Sequence, residues 1–140
     1  MSLVVDTSVV VKWVVEEPGS GRAQTLVGRP LVAPDLLRAE LANALCKKVV
    51  IRKELTESQA ARGLARASAA LRLVPAAPLA DRALTIALRM THPVYDCFFL
   101  ALAEELEMRL ITADERLLRR LRDSKVAIEA LHVEDWNPDD

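Results

Sequence analysis

Four acidic residues, Asp6, Glu40, Asp96 and Asp114, stand at the ends of short apolar runs or on the border of an apolar helix face. Asp6 closes the short run Leu3-Val4-Val5 and is followed by Thr7 and Ser8. Asp114 comes after Leu110-Ile111-Thr112-Ala113 and repeats the theme. Glu40 lies one helical turn from both Leu36 and Ala44, so its carboxylate points along the edge of an apolar face. Asp96 sits in the first turn of an apolar helix entered at Val94. Each has a plain structural explanation: a helix cap for Asp6 and Asp114, dipole compensation for Asp96, pairing with Arg38 or Lys47 for Glu40. If the four gathered in one place, however, they would need a counter-charge. Hard divalent ions such as Mg2+ or Mn2+ supply one, taking carboxylate oxygens together with waters and substrate phosphates. Such an ion acidifies water and stabilises charge on a scissile phosphate, which is hydrolytic chemistry without a side-chain nucleophile.

Other chemistries have less support. The two histidines, His92 and His132, have no plausible triad partner nearby in sequence, and His92, after a helix end, reads as a cap or turn residue. Neither a GxGxxG fingerprint nor a GxxxxGK phosphate loop is present. Cys46 and Cys97 are too few and too far apart for a zinc motif or a disulfide framework, and both read as buried, reduced thiols. A phospho-acceptor receiver domain would also gather carboxylates at strand ends. It needs a Lys closing a later strand, and Lys125 falls instead in a polar turn.

Positioning four distant acids requires a fold. At 140 residues, 51% hydrophobic and 28% charged, the chain suits one globular domain with a Leu, Val and Ala core. A net charge of −1 argues against charge-driven DNA binding, and the clusters Lys47-Lys48-Arg52-Lys53 and Arg116-Arg119-Arg120-Arg122 read as solvated helix faces. Short apolar runs predict strands at residues 3–5, 31–33, 73–74, 110–112 and 127–131. Helices are expected over 7–17, 20–27, 34–52, about 56–71, 79–90, from 94, and 116–121, the fourth opened by the capping box Thr56-Glu57-Ser58-Gln59. The fourth helix and the one before it would stand out from the sheet as an antiparallel pair. Strands alternating with helices imply a mostly parallel sheet of four to five short strands covered by helices. Asp6 and Asp114, at the ends of parallel strands, then emerge on one rim, with Glu40 and Asp96 close by. The domain is expected to span residues 1–135, followed by a short polar tail, 136–140, that frays. The N-terminal apolar run carries Asp6 and Lys12 and lacks a basic start, and no stretch reaches the ~18 apolar residues of a membrane span, so a cytoplasmic location is expected.

The segment Val4 to Trp13 (VVDTSVVVKW), the helix bearing Glu40, the Tyr95-Asp96 helix start and Ile111-Thr112-Ala113-Asp114 together resemble a PIN domain, and more narrowly the VapC toxins of prokaryotic toxin–antitoxin pairs. The likeness covers nearly the whole chain, with the four acids in family order. It implies a PIN-like three-layer α/β/α fold and a Mg2+- or Mn2+-dependent endoribonuclease. It also implies homodimerisation, an RNA substrate and neutralisation by a cognate antitoxin. Carried over, Asp6, Glu40, Asp96 and Asp114 would be the catalytic metal-binding carboxylates, with Thr7, Ser8 and Thr112 as supporting hydrogen-bonders. Many relatives carry a further acid shortly after the last Asp; here Glu115 follows directly, as a candidate for holding a second ion. The competing reading is a catalytically silent PIN fold that binds RNA or protein.

Overall fold

Leu3, Val4 and Val5 form strand β1 (Leu3–Val5), buried at every position. The strands on either side, β2 (Leu31–Pro34) and β4 (Leu110–Thr112), are equally buried, whereas the edge strands β3 (Arg72–Val74) and β5 (Ala130–His132) are partly open. Burial without alternation is what a parallel sheet covered on both faces demands. The computed structural model, which describes residues 2–139, orders the strands β3-β2-β1-β4-β5, and every neighbouring pair is parallel. The expected parallel sheet covered by helices is therefore present, with five strands among the described residues.

Among the described residues, seven α-helices connect the strands: α1 (Thr7–Val14), α2 (Ser20–Gln24), α3 (Leu36–Val50), α4 (Glu57–Ala69), α5 (Ala80–Met90), α6 (Val94–Leu106) and α7 (Glu115–Ser124). From β1 to β3 the chain steps across the sheet in one direction, and from β3 through β4 to β5 it moves in the other. Right-handed crossovers then put α1 to α4 on one face and α5 to α7 on the opposite face. Helix packing follows the same division, with α1 against α2, α3 and α4, and α5 against α6 and α7. The strand order reverses between β1 and β4, and the crevice beyond their C-terminal ends is where open α/β sheets bind ligands.

Local chemistry explains several boundaries. The capping box of α4 is complete: Gln59 N donates to Thr56 Oγ1 at 3.1 Å and Thr56 N to Gln59 Oε1 at 2.9 Å. Helix α1 ends at Val14, short of the expected Glu17, because Val15 is extended and the buried Ser20 hydroxyl donates to its carbonyl at 3.1 Å. Pro34 does not open α3 but closes β2, in register with Val74, and Asp35 precedes the helix. Helix α4 does not stand away from the body: it also packs on α1, where Gly63 meets Val14. Cys46 is exposed, one residue beyond the buried Leu45 and so turned off the apolar stripe; only Cys97 is buried. Trp136, expected in a fraying tail, is only 3% exposed. It is covered by the Arg29 guanidinium, 4.7 Å from its ring centre, and its carbonyl accepts from Arg22. No helix among the described residues is long and apolar enough to cross a membrane.

Candidate metal centre

The ends of β1 and β4 are tied together by side-chain hydroxyls. Asp6 caps α1, its Oδ1 accepting from Val9 N at 3.4 Å and from the Ser8 hydroxyl at 2.5 Å. Its Oδ2 accepts from the hydroxyl of the fully buried Thr112. Ser8 Oγ in turn accepts from Ala113 N at 2.9 Å, and Thr112 Oγ1 from Asp114 N at 3.1 Å. The hydroxyls of Ser8 and Thr112 thus each donate to one oxygen of Asp6. Burial pushes the Asp6 carboxyl up to about 7: desolvation outweighs the Ser8 and Thr112 hydrogen bonds that favour the anion, and the nearby Asp96 charge adds to it.

Glu40, in the second turn of α3, accepts from the Thr7 hydroxyl at 2.7 Å. Its carboxyl is also raised, by desolvation first, with Thr7 opposing and Asp96 reinforcing the shift. Asp96, in the first turn of α6, pairs through Oδ2 with Nε2 of His92 at 2.7 Å. Asp114 caps α7 by accepting from Leu117 N at 3.0 Å. All four acids line one cleft of about 230 Å³, joined by Thr7, Ser8, Asn43 and Phe99. No Lys or Arg is among these lining residues.

Glu115 is not brought to this cleft. It is exposed and lines a separate depression with Arg119, Arg122 and Glu134. Lys12, the one charge in the apolar stretch after Asp6, points to Glu17 Oε1 at 3.1 Å and the Pro18 carbonyl at 2.7 Å.

The donor set suits a hard divalent ion. The acids offer carboxylate oxygens only, and the strongly raised Asp6 shows that the site disfavours its own full ionisation without a cation. Two residues that the motif reading did not place here accompany them. Asn43, three positions after Glu40 and on the same side of α3, lines the cleft. His92 is a turn residue in its backbone, as expected, but its buried ring sits with Asp96 and Asp114, donor atoms of the three lying within 4.8 Å of one another. The i, i+4 spacing of His92 and Asp96 was the available signal, obscured by the intervening Pro93, which reads as a simple helix break.

The family model described as the PIN domain matches residues 3–123. Among solved structures, a protein from Pyrobaculum aerophilum superposes with a TM-score of 0.73 at 23% identity, over 96% of this chain and 90% of that one. A toxin–antitoxin complex from Klebsiella pneumoniae gives 0.68 at 14% identity, over 94% and 97% of the two chains. VapBC2 from Rickettsia felis, bound to a DNA fragment from its promoter, gives 0.64 at 13% identity, over 94% and 98%. No curated protein matches the sequence.

Proposed function

The chain belongs to the PIN domain family, and from that premise we propose that it is a VapC-like toxin: an endoribonuclease that uses Mg2+ or Mn2+ to hydrolyse RNA phosphodiester bonds. The observation that carries this reading is the meeting of Asp6, Glu40, Asp96 and Asp114 in one cleft at the reversal of strand order. In this reading the four carboxylates hold the ion. Bound there, it supplies charge neutralisation at the scissile phosphate and acidifies water.

The rest is the work of the chain's own groups. Thr7 holds one oxygen of Glu40, Ser8 and Thr112 hold both oxygens of Asp6, and His92 holds one oxygen of Asp96. Fixing each carboxylate before substrate arrives removes the cost of arranging it during the reaction. Asn43, neutral and exposed at the mouth, is suited to donate to a phosphate or a base edge where another acid would repel it. A cognate antitoxin partner and homodimerisation complete the reading; the Klebsiella neighbour, a toxin–antitoxin complex, and VapBC2 from Rickettsia support the first.

The test is cleavage of a total-RNA pool by the purified protein with Mg2+ or Mn2+, beside an EDTA control and Asp96→Asn. Discrete fragments that need both the ion and Asp96 are expected. Absence of cleavage by folded, antitoxin-free, metal-binding protein would favour a catalytically silent PIN fold that binds RNA or protein.

A further inference from the structure

His92 is buried, with its side chain 2% exposed, and its Nε2 lies 2.7 Å from Asp96 Oδ2. A carboxylate only accepts, so Nε2 carries the hydrogen and donates. The other ring nitrogen, Nδ1, is buried with no hydrogen-bond partner among the described residues. With the proton on Nε2, Nδ1 is left as a bare acceptor; a hydrogen there would be a second, unpaired buried donor, and burying it would be costly. The backbone holds the ring in place. Thr91 ends α5 in the left-handed conformation (φ 51°), His92 N donates to the Ala87 carbonyl at 3.2 Å, and Arg120 donates to the Thr91 carbonyl. Pro93 then precedes α6 as its N-cap residue, which puts Asp96 in the helix's first turn, four residues from His92.

We propose that His92 is a positioning residue for Asp96: its Nε2–H pins Oδ2 and leaves Oδ1 as the oxygen offered to the ion. This rests on the assignment of Asp96 as a metal ligand made above. His92 also lies within ligand-sharing reach of Asp114, yet to bind an ion through Nε2 the ring would have to give up both its proton and its bond to Asp96. Hard ions prefer the oxygens already present. Partners that orient a metal ligand typically govern affinity by ~10- to 100-fold.

The experiment is Mn2+ binding followed by the loss of the free-ion electron paramagnetic resonance signal, on wild type, His92→Phe, His92→Gln and Asp96→Asn, with melting curves for each. Phe keeps the ring's volume without a donor; the Gln side-chain amide nitrogen reaches roughly as far as Nε2 and can donate. His92→Phe is expected to bind Mn2+ about 10- to 100-fold more weakly. His92→Gln should recover most of the affinity. In RNA cleavage the Phe variant should need more Mn2+ while approaching the wild-type kcat at saturation. Unchanged affinity in a folded His92→Phe protein, with Asp96→Asn impaired, overturns the positioning role and leaves the metal site standing. Failure of wild type to bind, or full binding by Asp96→Asn, overturns the metal assignment and this inference with it. Spin-echo spectra of Mn2+ on the wild-type protein give a check that no variant's folding can blur. Absence of a directly coordinated nitrogen is the expected result, and a clear nitrogen coupling would make His92 a ligand instead.

Discussion

Asp6 sets a conflict between burial and charge. The residue is 7% exposed and its carboxyl is pushed from 3.8 up to about 7, desolvation being the largest cause. Between those two pH values the folded chain holds more protons than the unfolded one, so stability declines as pH rises and the whole contribution is lost above pH 7. At about 1.4 kcal/mol per tenfold change in proton affinity, the ionised form costs the metal-free fold on the order of 4 kcal/mol. Asp6→Asn removes that charge at constant shape. The metal-free variant is therefore expected to melt above the metal-free wild type at pH 8, with the gap narrowing towards pH 4. Calorimetry across that range checks it, and a gap independent of pH would remove burial as the source of the shift. That the four acids would meet was legible in the sequence only as a set: each alone passes for a cap, a dipole partner or an ion-pair member, and strand-end placement is what draws them to one rim. The inward turn of the His92 ring and the outward turn of Glu115 were not legible, since adjacency along the chain is a poor guide at a helix start. Glu115 is next to Asp114 but turns outward as α7 begins, whereas His92, four residues from Asp96, turns inward to meet it.

Helix α1 carries Thr7 and Ser8 in its first turn, so whatever seats α1 also seats the site. Its far end rests on α4 at Gly63, where an added Cβ would stand 2.4 Å from Val14 Cγ1. Gly63→Ala gains ~0.5–1 kcal/mol of helix propensity but overpacks the contact, at ~1–3 kcal/mol. A net loss of about 1–2 kcal/mol is expected in urea unfolding. In a Val14→Ala background the same change should become neutral or stabilising, since the opposing methyls are gone; equal destabilisation in both backgrounds would mean the clash is not the cause. Element order was legible from three-residue apolar runs, capping signals and Pro-Gly breaks. The misplaced boundaries share one physical origin, which is partners remote in sequence. Pro34 satisfies local rules equally as a strand end or a first helical residue, and pairing with Val74 decides it. Trp136 looks like part of a polar tail until Arg29 and Arg22 cover it.

At the scale of the molecule, the four carboxylates come from the ends of β1 and β4, from α3 on one face of the sheet and from α6 on the other. An ion held by all four would tie both helical layers to the sheet, so its binding energy would be felt as folding energy rather than as a local effect. A ligand bound only by the folded state contributes about 2.7 kcal/mol at one hundred times its Kd. For a chain of this length, taking ~3 °C per kcal/mol, that is a rise of about 8 °C in the melting temperature. The rise should depend on pH. Asp6, its carboxyl pushed up to about 7, holds a proton that the ion must displace, and burial raises Glu40 in the same direction, so binding releases protons and weakens as pH falls below 7. Mn2+ at a fixed concentration is therefore expected to raise the melting temperature more at pH 8 than at pH 5.5, EDTA should reverse it, and Asp96→Asn should abolish it. The metal-free protein runs the other way, being the more stable at pH 5.5. The two curves must converge on acidification if one set of carboxylates governs both. A metal-induced shift of equal size at both pH values, or one that survives Asp96→Asn, would locate the ion elsewhere on the molecule.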